Sequence, residues 1–188
     1  MLRHLASNDM LPSVEGLIEP ITQDSTRPGE RHAHLSAHVG EVAIWAWVGP
    51  PADPESARAG VGWIRVADWL PYQRPTFVTP AFAGYVSGHS VFSRAAAETL
   101  ASFTGTQWMP DGMLAHTVGA GELLHEAGPA TEVTLQWATW FDASDQAGLS
   151  RLPGGIHVPA DDVDGRRIGA AVGEAAWSRT REVLGIDP

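Results

Sequence analysis

Prolines at 71, 75 and 80 fix where regular structure can begin in the middle of this chain. A pyrrolidine ring locks φ, lacks an amide hydrogen and pushes the preceding residue into extended backbone. The stretch "WLPYQRPTFVTPAFAGYV", residues 69–86, is therefore expected to run extended and irregular. Helix becomes allowed only afterwards, near Ser87 or Ser90, where a hydroxyl can cap the first free amides. From there Phe92, Ala96, Leu100 and Phe103 recur at helical spacing and predict one apolar stripe. A second helix is expected over about 131–147, and a third from about Pro159 to Leu184 with proline at its first position. In that last helix Gly169, Gly173 and the alanines between them leave a small-residue face for close packing.

The segment upstream of the prolines has a different texture. Residues 1–39 are polar and mixed, with a short helix expected near Leu11–Ile21 and a histidine cluster at His32, His34 and His38. No acidic or histidine partner completes that cluster at a metal-binding spacing, so it reads as a solvated segment. "EVAIWAWV", 41–48, and "VGWIRV", 61–66, are rich in β-branched and aromatic residues, and loop composition separates them, which reads as a small β-hairpin. The fold class is then mainly α, a single domain over 1–188 in which an irregular and hairpin segment, 1–59, precedes a helical region, 60–188.

Composition narrows the function. A chain of 188 residues, 44% hydrophobic and 18% charged, suits a globular protein with a real core. Twelve basic against 22 acidic residues give a net charge of −10, which argues against nucleic acid or anionic membrane as a partner. There is no run of 18 apolar residues and no charged-then-apolar leader at Met1. The chain therefore reads as neither membrane-spanning nor carrying a visible export signal, although an earlier start could supply one. Cysteine is absent, which removes disulfides, thiolate metal sites and thiol nucleophiles. Lysine is absent as well, so an anion site must be built from arginine, histidine, hydroxyls and backbone amides.

Two stretches have that composition. Ser87, Gly88 and His89 stand at the mouth of the first helix, where free amides point outward and the helix dipole favours an anion; a plain N-cap explains the serine equally well. "SRLPGGIHVPADD", 150–162, sets Arg151, with its planar fork, six residues before His157 and across a Gly-Gly loop that can return the imidazole to the same point. Asp161, four residues after His157, can accept from the ring and hold one tautomer. Helix-start chemistry alone accounts for Pro159, Asp161 and Asp162 but leaves Arg151 and His157 unexplained.

Together these stretches resemble the second and third signature motifs, P-S-G-H and S-R-x5-H-x3-D, of the superfamily of vanadium-dependent haloperoxidases and type 2 phosphatidic acid phosphatases. Val86 stands in place of the proline, and the second motif matches at every defining position. The wider wording, "WLPYQRPTFVTPAFAGYVSGHSVFSRAAAE" and "LQWATWFDASDQAGLSRLPGGIH", is similar to the soluble bacterial haloperoxidase-like branch, over about Gly60–Gly185. The family's first motif, a lysine and an arginine followed by proline, is not found; Arg74-Pro75, 13 residues before Ser87, is the local echo. The resemblance thus implies a helical bundle lacking the family's upstream helices, with exposed helix faces open to self-association.

The resemblance also implies a chemistry. His157 would hold vanadate axially as the metal-site ligand, with Arg151, Ser87, the Gly88 amide and, by its echo of the first motif, Arg74 on the other oxygens. His89 would handle protons and Asp161 would orient His157. The partners would be hydrogen peroxide, a halide and a small organic acceptor, and the product hypohalous acid. The same geometry suits an acid phosphatase with no cofactor and a phosphate substrate, in which His157 forms a phosphohistidine and His89 protonates the leaving group. The third alternative is a relative without catalysis that serves as a binding or assembly partner. Trp69, Phe77, Phe82 and Trp140 suit either a sheltered halide or organic site or a plain core role.

Overall fold

The computed structural model describes residues 18–73, 76, 78 and 82–186; Arg74 and Phe77 lie outside them, as does the expected first helix up to residue 17. The end of that expected helix is strand instead: β1, Ile18–Pro20, pairs antiparallel with β2, Val42–Trp47. A branched residue and an edge proline fit a short outer strand better than a helix end. The chain divides into two compact units, one of Met1–Val78, Leu124–Gly128 and Pro153–Gly155, the other of Thr79–Leu123, Pro129–Leu152 and Ile156–Pro188.

In the first unit the expected hairpin forms. β2 pairs antiparallel with β3, Val61–Arg65, with Trp45 opposite Trp63, giving a sheet of order β1-β2-β3. Ile21, Leu35 and Ala43 make its core, with Trp63 packed against them. The histidine cluster is not a solvated segment throughout. His32 is fully buried, with Nδ1 2.9 Å from Ser25 Oγ, Nε2 3.0 Å from Glu19 Oε1 and the ring edge-on to Trp63. Burial holds its pKa below the ordinary 6.5. His34 donates from Nε2 to the Trp63 carbonyl and His38 sits against Glu41, so all three histidines serve local structure. The buried Glu126 accepts from Trp47 Nε1 and Ala59 N, and Trp69 covers Gly155, whose φ of +75° and lack of Cβ allow the ring to lie there.

In the second unit α1, Gly88–Thr104, starts where the prolines end, capped by Ser87 and closed by Gly105 at φ 69°. The helix expected over 131–147 is displaced. Its front half is β5, Val133–Trp137, paired with β4, Leu114–Val118, and helix begins only at α2, Trp140–Leu149, behind a Thr139–Asp142 capping box. Alternating branched and aromatic residues in "VTLQW" favour strand once a partner exists, and that partner lies 19 residues upstream, beyond the reach of local periodicity. α3, Pro159–Leu184, has the expected span.

α1 and α3 run parallel in backbone contact. A methyl at Gly165 would lie 3.0 Å from the Ser87 carbonyl oxygen, at Gly169 2.5 Å from that of Val91, and at Gly173 2.6 Å from that of Ala95. The glycines at four-residue intervals are therefore the seam. This corrects the reading of α1: Phe92 and Phe103 are 79% and 71% exposed and Leu100 is exposed as well, because the side carrying Ser90, Val91 and Ala95 faces the seam instead. Two helices can approach to backbone contact only over small residues, so shape outweighs apolar area in choosing the packed face. α2 lies along α1, Gly148 against Ser90, and Trp140 lines a groove of about 240 Å³ between them with Ala97 and Leu100.

Candidate oxyanion site

Three chain segments of the second unit supply the site. The first is the start of α1. Ser87 is fully buried; its Oγ accepts from Ser90 N at 3.3 Å, and its own amide donates to the Asp161 carbonyl at 3.1 Å. Gly88 and His89, the first two residues of the helix, are exposed, and their amides have no partner among the described residues. No acidic residue occupies that first turn, so the positive end of the helix is left open.

The second and third segments are joined by the loop from Arg151 to His157. The amides of Ile156 and His157 both return to the Arg151 carbonyl, at 3.0 and 3.4 Å, which closes the loop and brings the two ends together, with Gly155 at φ +75° making the turn. The Arg151 guanidinium has no ion pair among the described residues; its Nε is buried without any partner, and burial lowers its pKa. His157 is buried, and its Nδ1 lies 3.2 Å from Asp161 Oδ2. A carboxylate oxygen accepts, so the ring donates from Nδ1 and its Nε2 is the nitrogen not used in this contact. Asp161 also accepts from Val158 N at 3.3 Å, which fixes the carboxylate at the start of α3.

His89 belongs to the same electrostatic neighbourhood. Partial burial of its ring, with the positive charge of Arg151 adding to it, holds its pKa below 6.5. Phe82 lies over His157, ring centroids 6.2 Å apart, and is itself 57% exposed. Of the described aromatic residues singled out from sequence, Phe82 lies beside these groups, Trp69 packs in the first unit and Trp140 in the α1–α2 groove. Ser87, Gly88, His89, Arg151, His157 and Asp161 thus gather in one unit, while Arg74 lies outside the described residues.

The donor set has a clear chemical sense. An unpaired buried guanidinium nitrogen, two free helix-start amides and a hydroxyl could each donate a hydrogen bond to an anion, and the imidazole Nε2 of His157 could supply a ligand. Among the described residues the carboxylate in hydrogen-bond contact with these groups is that of Asp161, on Nδ1 of His157. These groups fit a tetrahedral oxyanion such as vanadate or phosphate.

Residues 21–185 match the family model of the VCPO second helical-bundle domain. The chain belongs to that family. Two solved structures share the fold of this vanadium haloperoxidase relative. An apo-type bacterial vanadium-dependent chloroperoxidase is 22% identical with a TM-score of 0.60, over 76% of this chain and 28% of that one. A holo-type bacterial vanadium-dependent chloroperoxidase is 21% identical with a TM-score of 0.58, over 72% of this chain and 26% of that one. The chain spans little more than a quarter of the length of those proteins. No curated protein matches it. Among the described residues no helix is long and apolar enough to cross a membrane.

Sequence reasoning missed what lies beneath the site. Ser90, Asp162 and Arg166 form a buried hydrogen-bonded cluster, and Gly148 is placed against it. The signal for part of it was present: Arg166 follows Asp162 by four residues, an ion-pair spacing on a helix.

Proposed function

We propose that this chain carries the oxyanion site of a vanadium-dependent haloperoxidase and oxidises halide with hydrogen peroxide at a histidine-bound vanadate. The observation that carries this reading is Arg151, whose buried Nε has no hydrogen-bond partner and whose guanidinium has no ion pair among the described residues. Leaving such a group uncompensated is costly unless an anion arrives to meet it. Its neighbours support the same reading, since His157 keeps a lone pair for a metal and the α1 amides remain unfilled.

Bound vanadate supplies the activation of hydrogen peroxide toward halide. The chain's own residues do the rest. His157 Nε2 would hold the vanadium while Asp161 keeps the ring hydrogen on Nδ1. Arg151, the Ser87 hydroxyl and the Gly88 and His89 amides would balance the charge on the oxygens. His89, held neutral near pH 7 by its lowered pKa, is suited to accept a proton from incoming peroxide. Phe82 would give an organic acceptor an apolar surface beside His157.

Calorimetry of orthovanadate with the purified chain tests the reading, followed by bromination of a phenolic dye with peroxide on the same sample. Binding in the micromolar range, abolished in both Arg151→Ala and His157→Ala, together with dye bromination, is the expected result. Binding and turnover that survive His157→Ala would overturn the assignment. Binding without bromination would favour a second reading, an oxyanion-binding partner that leaves turnover to other residues, which the absence of lysine from the chain supports.

A further inference from the structure

We infer that Ser90 and Asp162 are positioning residues for the oxyanion site, holding its three segments in register from below. The inference rests on the oxyanion reading above. Asp162 is 4% exposed, and a carboxylate that deep needs strong compensation. It has it: Oδ1 accepts from Ser90 Oγ at 2.6 Å and from Arg166 Nε at 3.0 Å, and Oδ2 accepts from an Arg166 terminal nitrogen at 2.7 Å. Arg166 in turn reaches the Asp145 carbonyl at 3.1 Å and its carboxylate at 2.9 Å, on α2.

Helix-start electrostatics alone does not call for this arrangement. Asp161 already accepts from the Val158 amide at the start of α3, and a second acid would serve the dipole as well from the surface, without desolvation. Asp162 is instead turned inward, across to α1. The residue it meets, Ser90, has its amide bound by Ser87, the first residue of the Ser87–His89 triplet. A methyl at Gly148 of α2 would collide with Asp162 Oδ1 and lie 2.9 Å from Ser90 Oγ, and one at Gly165 would lie 2.9 Å from Ser90 Cβ. The pair therefore occupies the point where α1, α2 and α3 converge. Each of the three leads directly into the site: α1 through Ser87–His89, α2 through Arg151, whose amide donates to the Gly148 carbonyl, and α3 through Asp161 and His157. Arg166 pairs directly with Asp162, which offsets the negative charge that the buried carboxylate would otherwise present to an incoming anion.

The test compares variants by calorimetry with orthovanadate and with inorganic phosphate, alongside thermal unfolding and the vanadium NMR resonance of the bound ion. His157→Ala serves as the control for the site, and Gly173→Ala, which strains the same α1–α3 seam away from the site, as the control for general destabilisation. Ser90→Ala and Asp162→Asn should each weaken orthovanadate binding roughly 10-fold to 100-fold and move the bound resonance. Gly173→Ala should lower Tm at unchanged affinity and resonance. If Asp162→Asn does not fold, Ser90→Ala alone decides. Affinities within twofold of wild type in Ser90→Ala overturn the positioning role, as does an equal loss of binding in Gly173→Ala. A wild-type chain that binds neither anion, or a His157→Ala chain that binds normally, overturns the oxyanion reading and the positioning role falls with it.

Discussion

Two helix N-termini lie side by side in the second unit, joined by the Ser87 amide on the Asp161 carbonyl, and they are finished in opposite ways. α3 begins with a proline that has no amide hydrogen to offer, and Asp161 and Asp162 fill its first turn. α1 begins with glycine and histidine, no acid in its first turn, and one hydroxyl as its cap. Both carry the same partial positive charge. In α3 it is spent on the protein's own carboxylates, whereas in α1 it stays available. What distinguishes the filled helix start from the open one is therefore what the sequence leaves out.

The sharpest way to break that contrast is to finish α1 as α3 is finished. Gly88→Asp adds a carboxylate where a Cβ meets nothing within 4 Å, so it should be accommodated sterically. Oxyanion affinity should fall by about a hundredfold, because the new charge competes for the same amides, while Tm holds or rises slightly. Unchanged affinity would mean that the α1 amides do not contact the anion. A smaller effect is expected from Asp161→Asn, which keeps the shape at α3 but lets the His157 ring hydrogen move between nitrogens. Affinity should drop roughly tenfold, and phosphate should lose as much as vanadate.

The smallest effect is in pH. His89 at the open helix start and His32 in the first unit both have pKa values held below 6.5 in the folded chain, in each case first by burial. The unfolded chain then binds more protons than the folded one just below that value, so stability is fully present above pH 6.5 and is lost as pH falls through the lowered values. Thermal unfolding between pH 7.5 and 5 should show this decline, shallower in His89→Ala. A bound anion favours the charged imidazole, so affinity should rise as pH falls over the same range, and His89→Ala should flatten that rise. An affinity profile identical in wild type and His89→Ala would separate His89 from the anion.

How much of this was legible beforehand depended on whether the cause was local. The start of α1 and the whole of α3 follow from prolines, a serine cap and closing glycines, all of which act within a few residues. The contact between His157 and Asp161 was legible too, since a four-residue spacing at a helix start brings the two side chains together. β5 was misread as helix because its partner strand is distant in sequence. The stripe from Phe92 to Phe103 was misassigned because periodicity counts apolar side chains and is blind to a neighbour that offers none. Ser90 and Asp162 escaped notice for another reason: each has a sufficient local explanation, a polar residue in a first turn and an acid at a helix start, so neither asked for a partner.

The glycine seam of α3 has one more consequence. Gly165, Gly169 and Gly173 meet Ser87, Val91 and Ala95 at a constant offset, like teeth of equal pitch. Such a rack holds two helices close but is indifferent to a slide of one tooth, about 6 Å along the axis. Closeness and phase are thus set by different atoms: the glycines bring the backbones together, and the polar contacts at the first tooth, Ser87 to Asp161 and Ser90 to Asp162, choose which of several equivalent notches is the native one.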